Sequence, residues 1–254
     1  MRLGGWLHIY LYISRAMGYS ILKDQLTPLI LLLLNIGRVR LGRHIVDILK
    51  DRNVFIFGGG GSLLRGVMEF RKWLDGRPRD GIRIVSCDVS TKILLSNNIP
   101  PDIVVSDLDG DPASLIKSSI DGAVMVIHGH GDNLYEVLKI SRRLRSLVVS
   151  TQVIPIPPLV NYYGYTDGDR AILMAIRAGA RRIFLIGMDF RGIIDPYKEH
   201  RPGDSHIKRW KLSMGKIILS MNRPRMPEIY IIDGGGLGDI YNVVSWSDLD
   251  RLIP

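Results

Sequence analysis

The sequence predicts an α/β protein of three layers: a mostly parallel sheet with helices on both faces, preceded by an N-terminal helical segment. Three observations carry this. From Asn53 onward, short apolar runs alternate with amphipathic stretches. The runs are apolar on both faces, the pattern of strands covered on either side. Several end directly in a cluster of glycine and aspartate, at the edge where such sheets take ligands.

In chain order, residues 1–50 come first as the helical segment. Ile21, Leu22, Leu26, Leu29, Ile30 and Leu33 recur near helical spacing, and Leu41, Ile45, Ile48 and Leu49 share a face between Arg40 and Lys50. Two helices packed on the following domain are expected, with an amphipathic membrane-surface segment as the alternative. Residues 51–254 form the α/β domain, Rossmann-like in arrangement. Its expected strands are Val54–Phe57, Arg83–Cys87, Ile103–Ser106, Val124–His128, Leu147–Ser150, Arg182–Ile186 and Ile229–Ile232. Helical patterns fall at Leu63–Leu74, Thr91–Asn97, Ala113–Ile120, Asn133–Leu144, Asp167–Ala178 and Ser205–Met221.

Composition narrows the function. With 46% hydrophobic and 23% charged residues the chain is no disordered or fibrous protein. The single cysteine, Cys87, excludes an internal disulfide framework and suits a reducing compartment. The net charge of +9 favours anionic partners. The longest apolar run, Leu29–Leu34, is far below the ~20 residues of a bilayer span, and Arg15 interrupts the N-terminal apolar stretch. A soluble, cytoplasmic protein is expected.

The strand ends hold the chemistry. Gly58, Gly59, Gly60, Gly61 and Ser62 lie between a strand and a helix, where backbone N–H groups and the helix N-terminus suit a phosphate; a plain turn capped by Ser62 is the simpler reading. Asp107, Asp109 and Asp111 alternate directly after Ile103–Ser106. Like charges held that closely call for a cation, and hard carboxylate oxygens suit Mg²⁺. An acidic turn with Asp111 capping the next helix is the alternative. His128, His130, Asp132 and Asn133 close the next strand; their spacing resembles that of binuclear metallohydrolases and allows zinc, or equally a close-approach glycine loop. Thr166 and Asp169 suit a capping box, which leaves Asp167 and Arg170 for metal or phosphate. Asp189 and Phe190 follow another strand. Lys208, Arg209, Lys211 and Lys216 lie off the apolar face of a helix, as solvated charge or as a phosphate clamp.

In this order the segments GGGGSL, PPDIVVSDLDGD, VIHGHGDN, STQ, YTDGDRA, GMDF and KRWKL resemble the archaeal 6-hydroxymethyl-7,8-dihydropterin pyrophosphokinase family. That family is similar in fold to thiamine pyrophosphokinases. The resemblance spans roughly residues 54–216. It implies transfer of a diphosphoryl group from ATP to the hydroxymethyl oxygen of a reduced pterin, releasing AMP, in folate-like or methanopterin-type cofactor synthesis. Residues 51–254 would then be a nucleotide- and metal-binding catalytic domain.

On that basis Asp107, Asp109 and Asp111 are expected to hold Mg²⁺. Asp167 and Asp169 would complete its shell or orient the alcohol. Gly59, Gly60, Gly61, Ser62, Asp88 and Arg170 would serve the nucleotide, and His128, His130, Asp132, Asn133, Asp189 and Phe190 the pterin. The expected partners are ATP and a reduced pterin, without nucleic acid or membrane; a homo-oligomer is left open. The rival readings are a thiamine pyrophosphokinase-like enzyme, a metal-dependent phosphoester hydrolase built on His128, His130 and Asp132, a glycosyltransferase-like enzyme, and a nucleotide-binding module without turnover.

Overall fold

The computed structural model describes residues 2–190, 204–222, 228–232 and 235–253. Among these residues eight strands form one parallel sheet: β1 (Asn53–Phe57), β2 (Ile82–Cys87), β3 (Ile103–Ser106), β4 (Val124–His128), β5 (Leu147–Ser150), β6 (Arg182–Ile186), β7 (Glu228–Ile232) and β8 (Asn242–Val244). Their order across the sheet is β5-β4-β3-β2-β1-β6-β7-β8. The seven expected strands are all present. The eighth is a three-residue edge strand, largely exposed, with too little apolar pattern to announce itself.

Helices α1 (Leu3–Met17), α2 (Ile21–Leu34) and α3 (Arg43–Leu49) precede the sheet. The connections then use α4 (Leu63–Leu74), α5 (Ser90–Ser96), α6 (Pro112–Ile120), α7 (Leu134–Ile140), α8 (Asp167–Arg177) and α9 (Asp204–Met221), with α10 (Leu249–Leu252) at the end. Parallel crossovers keep one hand. Strands β1 to β5 step in one direction, so α4–α7 share a face of the sheet. The chain then jumps back to β6 and steps the other way, which puts α8 and α9 on the opposite face. Side chains obey the period of two: Val54 and Ile56 pack among α1, α3, α8 and α9, while Phe55 and Phe57 pack against α4. Phe55 stacks on Phe184 at 4.7 Å between ring centroids.

The N-terminal segment differs from expectation in two ways. It has three helices rather than two; α1, around the apolar stretch Leu7–Ile13, buries Trp6, Tyr10 and Ile13 in the core beneath the sheet. The face that α2 turns inward is also not the apolar stripe. Asp24, Thr27, Pro28 and Leu31 are buried, whereas Leu22, Leu26 and Leu33 are exposed. Helices α1 and α2 meet at 110°, and no single helix among the described residues is long and apolar enough to cross a membrane. Beyond α2 the chain covers the open edge of β5, through a bridge of Val39 to Leu147 and another of Val160 to Ser150. That cover removes a row of unpaired backbone groups that invites aggregation.

Candidate active site

The strand order reverses at β1 and β6, and a ligand crevice is expected beyond the carboxyl ends of the strands there. A cavity of about 470 Å³ lies at that rim. It is lined from Gln152 after β5, through His128 and His130, Asp107 and Asp109, Asp88, and Gly58–Gly60, to Asp189 after β6. Five strand spacings of ~4.8 Å make this floor roughly 24 Å long. The start of α8 and the residues Ile207, Lys208, Lys211 and Leu212 of α9 complete the wall.

Near mid-floor, carboxylate oxygens of Asp88, Asp107 and Asp109 lie within 4.8 Å of one another. Leu108 makes this possible. Its φ of +71° is costly for a branched side chain, and it is held by burial of that side chain and by its N–H donating to the Ser106 hydroxyl at 2.9 Å. Gly110 follows because a Cβ there would strike the Asp88 carboxylate. Two unit charges ~4 Å apart repel by ~4 kcal/mol at an effective dielectric of ~20. An all-oxygen, carboxylate donor set fits a hard divalent cation such as Mg²⁺. The membership differs from expectation. Asp88, assigned to the nucleotide, joins the cluster, whereas Asp111 caps α6, accepting from the Ser114 N–H at 2.8 Å and hydroxyl at 2.6 Å. Those bonds, more than Lys92 nearby, hold the Asp111 carboxyl below the ordinary carboxylate range.

The glycine loop is occupied by the chain itself. Asp189 accepts from the Ser62 N–H at 2.7 Å and from its hydroxyl, so the anion at the N-terminus of α4 is a side chain. Gly60 has no room for a Cβ because Asp189 lies against it. Gly61 and Ser62 do not line the cavity, while Gly58, Gly59 and Gly60 do. The residues expected to serve nucleotide and pterin separately, Gly59–Ser62 and Asp189–Phe190, therefore share one end of the cleft.

At the other end, the glycines after β4 admit α2. A Cβ on Gly129 would meet the Pro28 backbone at 2.7 Å, and one on Gly131 the Lys23 Cβ at 2.8 Å. Asn133 fastens the loop by donating to the carbonyls of Asp107 at 2.6 Å and His128 at 2.7 Å. Asp132 is exposed and outside the cavity. His130 Nε2 lies 3.4 Å from Asp107 Oδ2. Both nitrogens of His128 are engaged, Nδ1 with Ser150 at 3.1 Å and Nε2 with Gln152 at 3.4 Å. His128, His130 and Asp132 thus form no ligand set. Beneath them lies a carboxylate that periodicity did not reveal. Asp24 accepts from Tyr10 at 2.6 Å, Gln152 Nε2 at 2.7 Å and the Gly131 N–H at 2.6 Å.

Burial, then Arg170 and His130, hold the His128 imidazole well below its ordinary 6.5. The folded protein keeps it neutral while the unfolded chain protonates it, so this contribution to stability is complete above pH ~6.5 and is lost progressively as pH falls from there toward the lowered value of the folded state. His128→Asn is expected to flatten the acid side of a urea-midpoint profile between pH ~7 and ~5. An unchanged slope contradicts the assignment.

At the start of α8, Asp169 is fully buried and accepts from the Thr166 N–H at 2.6 Å and hydroxyl at 2.8 Å, a capping box. Burial raises its carboxyl above the ordinary range against those bonds. It does not reach the cavity, whereas Asp167 does, paired with the buried Arg170 at 2.9 Å. Lys208 and Lys211 face the cavity; Lys216 pairs with Asp239 instead. Tyr19, from the turn between α1 and α2, and Tyr165 also line it, their hydroxyls 3.1 Å apart. Cys87 is there too, but burial, then Asp167 and Asp88, push its thiol up, so it is no thiolate nucleophile. Tyr19 and Asp24 carried no sequence signal, because both belong to a segment without a recognisable motif.

A family model described as 6-hydroxymethylpterin diphosphokinase MptE-like matches residues 32–194. The 6-hydroxymethyl-7,8-dihydropterin pyrophosphokinase of Methanothermobacter thermautotrophicus is 39% identical over 163 residues, covering 62% of this chain and 68% of that protein. The protein of the same name from Methanocaldococcus jannaschii is 32% identical over 227 residues, covering 85% of this chain and 93% of that protein. Among solved structures, the MAf glycosyltransferase of Magnetospirillum magneticum aligns at 20% identity with a TM-score of 0.49, over 78% of this chain and 34% of that one. By its match to the family model and to these two archaeal relatives, the chain belongs to the 6-hydroxymethylpterin diphosphokinase MptE-like family.

Proposed function

We propose that this chain transfers the terminal diphosphoryl group of ATP to the hydroxymethyl oxygen of 6-hydroxymethyl-7,8-dihydropterin, with Mg²⁺, and releases AMP. One observation supports this most. A single cavity holds the carboxylates of Asp88, Asp107 and Asp109 on its floor and the cations Arg170, Lys208 and Lys211 on its wall. A triphosphate carrying a divalent ion satisfies both sets at once. Family membership favours the pterin over thiamine as acceptor.

The acceptor oxygen bonds to the β-phosphorus, and the bond from that phosphorus to the α,β-bridging oxygen breaks. AMP leaves with the bridging oxygen, and the hydroxyl proton is released to water. Such transfers need positioning and charge stabilisation more than covalent help. Asp88, Asp107 and Asp109 would hold Mg²⁺, which would supply charge neutralisation for the phosphoryl groups. Arg170, Lys208 and Lys211 bind the remaining phosphate charge, and Arg170 also fixes Asp167, which orients the acceptor hydroxyl. A floor of roughly 24 Å has room for a substrate on each side of the carboxylates. The nucleoside takes the Gly58–Gly60 end beside Phe190. The pterin takes the end lined by His128, Gln152, Tyr19 and Tyr165, where aromatic faces and fixed polar groups suit a flat heterocycle.

The protein should be mixed with ATP, Mg²⁺ and 6-hydroxymethyl-7,8-dihydropterin, and the nucleotide product identified. AMP formed in step with a diphosphorylated pterin is expected. ADP, or AMP formed equally well without the acceptor, contradicts the proposal.

A further inference from the structure

We propose that the outer face of α2 is the contact surface of a two-fold symmetric dimer of this chain. Leu22, Leu26, Leu29 and Leu33 are spaced i, i+4, i+7 and i+11, a single stripe along the helix. Leu22 and Leu33 are 68% and 67% exposed, although the inward face of the same helix carries Asp24 and Thr27. The stripe does not stand alone. Tyr135 and Leu138 of α7, which packs beside α2, are exposed, as is Ile154, whose backbone binds the Gln25 side chain. Ile36 and Ile156 extend the patch. Leaving aside the half-buried Leu29, the eight others are about half exposed or more and amount to on the order of 800 Å², the area one partner gives to a standard interface. An apolar patch of that size on a water-exposed face marks an interaction site.

The charges around the patch select a second copy as the occupant. The loop before α7 packs on α2 near Lys23 and Asp24, and the Arg38 guanidinium at the far end of α2 donates to the Arg142 carbonyl. The two helices therefore run side by side in the same direction. Exposed Asp132, just before α7, and half-buried Glu136, in its first turn, mark one end of the patch, where Lys23 of α2 is also exposed. Exposed Arg142 and Arg143, with Arg38, mark the other. A two-fold axis across the patch lays the acidic end of one copy on the basic end of the other, and an isologous contact requires this self-complementarity. The inner side of α2 packs on Gly129 and Gly131, which flank the cavity-lining His130, so the dimer would brace the active-site floor from behind.

The test is sedimentation equilibrium of the full chain at micromolar concentration, with circular dichroism to check the fold. The wild type is expected at twice 28.6 kDa. Leu26→Glu with Leu33→Glu should run at 28.6 kDa with an unchanged spectrum. Asp132→Arg with Glu136→Arg should weaken the dimer by about tenfold, and adding Arg142→Glu with Arg143→Glu should restore it. A monomeric wild type, a dimer that survives the leucine variants, or charge variants without rescue overturns the proposal. So does a monomeric wild type that sediments with anionic phospholipid vesicles through the same leucines, since the face would then serve a membrane.

Discussion

Asparagine in place of Asp107 or Asp109 is expected to lower turnover by about 10²- to 10³-fold, with the fold intact. Both side chains are half-buried or exposed at the cavity floor, so the loss should not arise from unfolding. The structure adds a discriminating pair. Asp88→Asn should behave like the other two, because its carboxylate belongs to the same cluster. Asp111→Asn should retain turnover, because that side chain caps α6, and cap replacements cost stability of about 1 kcal/mol or less. Steady-state rates for the four variants with saturating Mg²⁺ check this. Equal losses at Asp111 and Asp107, or a fully active Asp88→Asn, contradict the assignment of the cluster.

Asp24→Ala is expected to cost about 3 kcal/mol of folding stability. The carboxylate is 2% exposed, and three donors converge on it from α1, from the residue after Thr151, and from the loop after β4. Removing it leaves the Tyr10 hydroxyl, the Gln152 amide and the Gly131 N–H without that acceptor. Urea unfolding followed by circular dichroism measures the loss. A change below about 1 kcal/mol would mean that water or a rearranged side chain replaces the acceptor.

Strand positions were legible because central strands of a parallel sheet are apolar on both faces, and Phe55 and Ile56 illustrate this by facing opposite cores. The rim chemistry was legible for a related reason, since Asp107 directly follows β3, His128 ends β4 and Asp189 lies three residues beyond β6. Which carboxylates converge was not. Asp88 and Asp107 come from neighbouring strands, and only the register of β2 and β3 together with the turn at Leu108 brings them together. Asp111 and Asp169 have the local spacing of metal ligands, but each is claimed by backbone N–H groups at a helix start. Glycine runs signalled close approach correctly but not its object. Gly60 makes room for Asp189, and Gly129 for Pro28. The stripe on α2 is the largest misreading. Helical spacing reveals an apolar face but not whether that face meets the same chain, and here the inward side is the one carrying Asp24.

The convergence of charge at the sheet rim is tested most directly by calorimetric titration of a non-hydrolysable ATP analogue into the wild type and Asp107→Asn, each with and without Mg²⁺. Tight binding is expected only for the wild type with Mg²⁺, with a sharp loss when either the ion or the carboxylate is removed. Equal affinity in all four titrations would mean that the triphosphate and its cation do not meet at Asp88, Asp107 and Asp109.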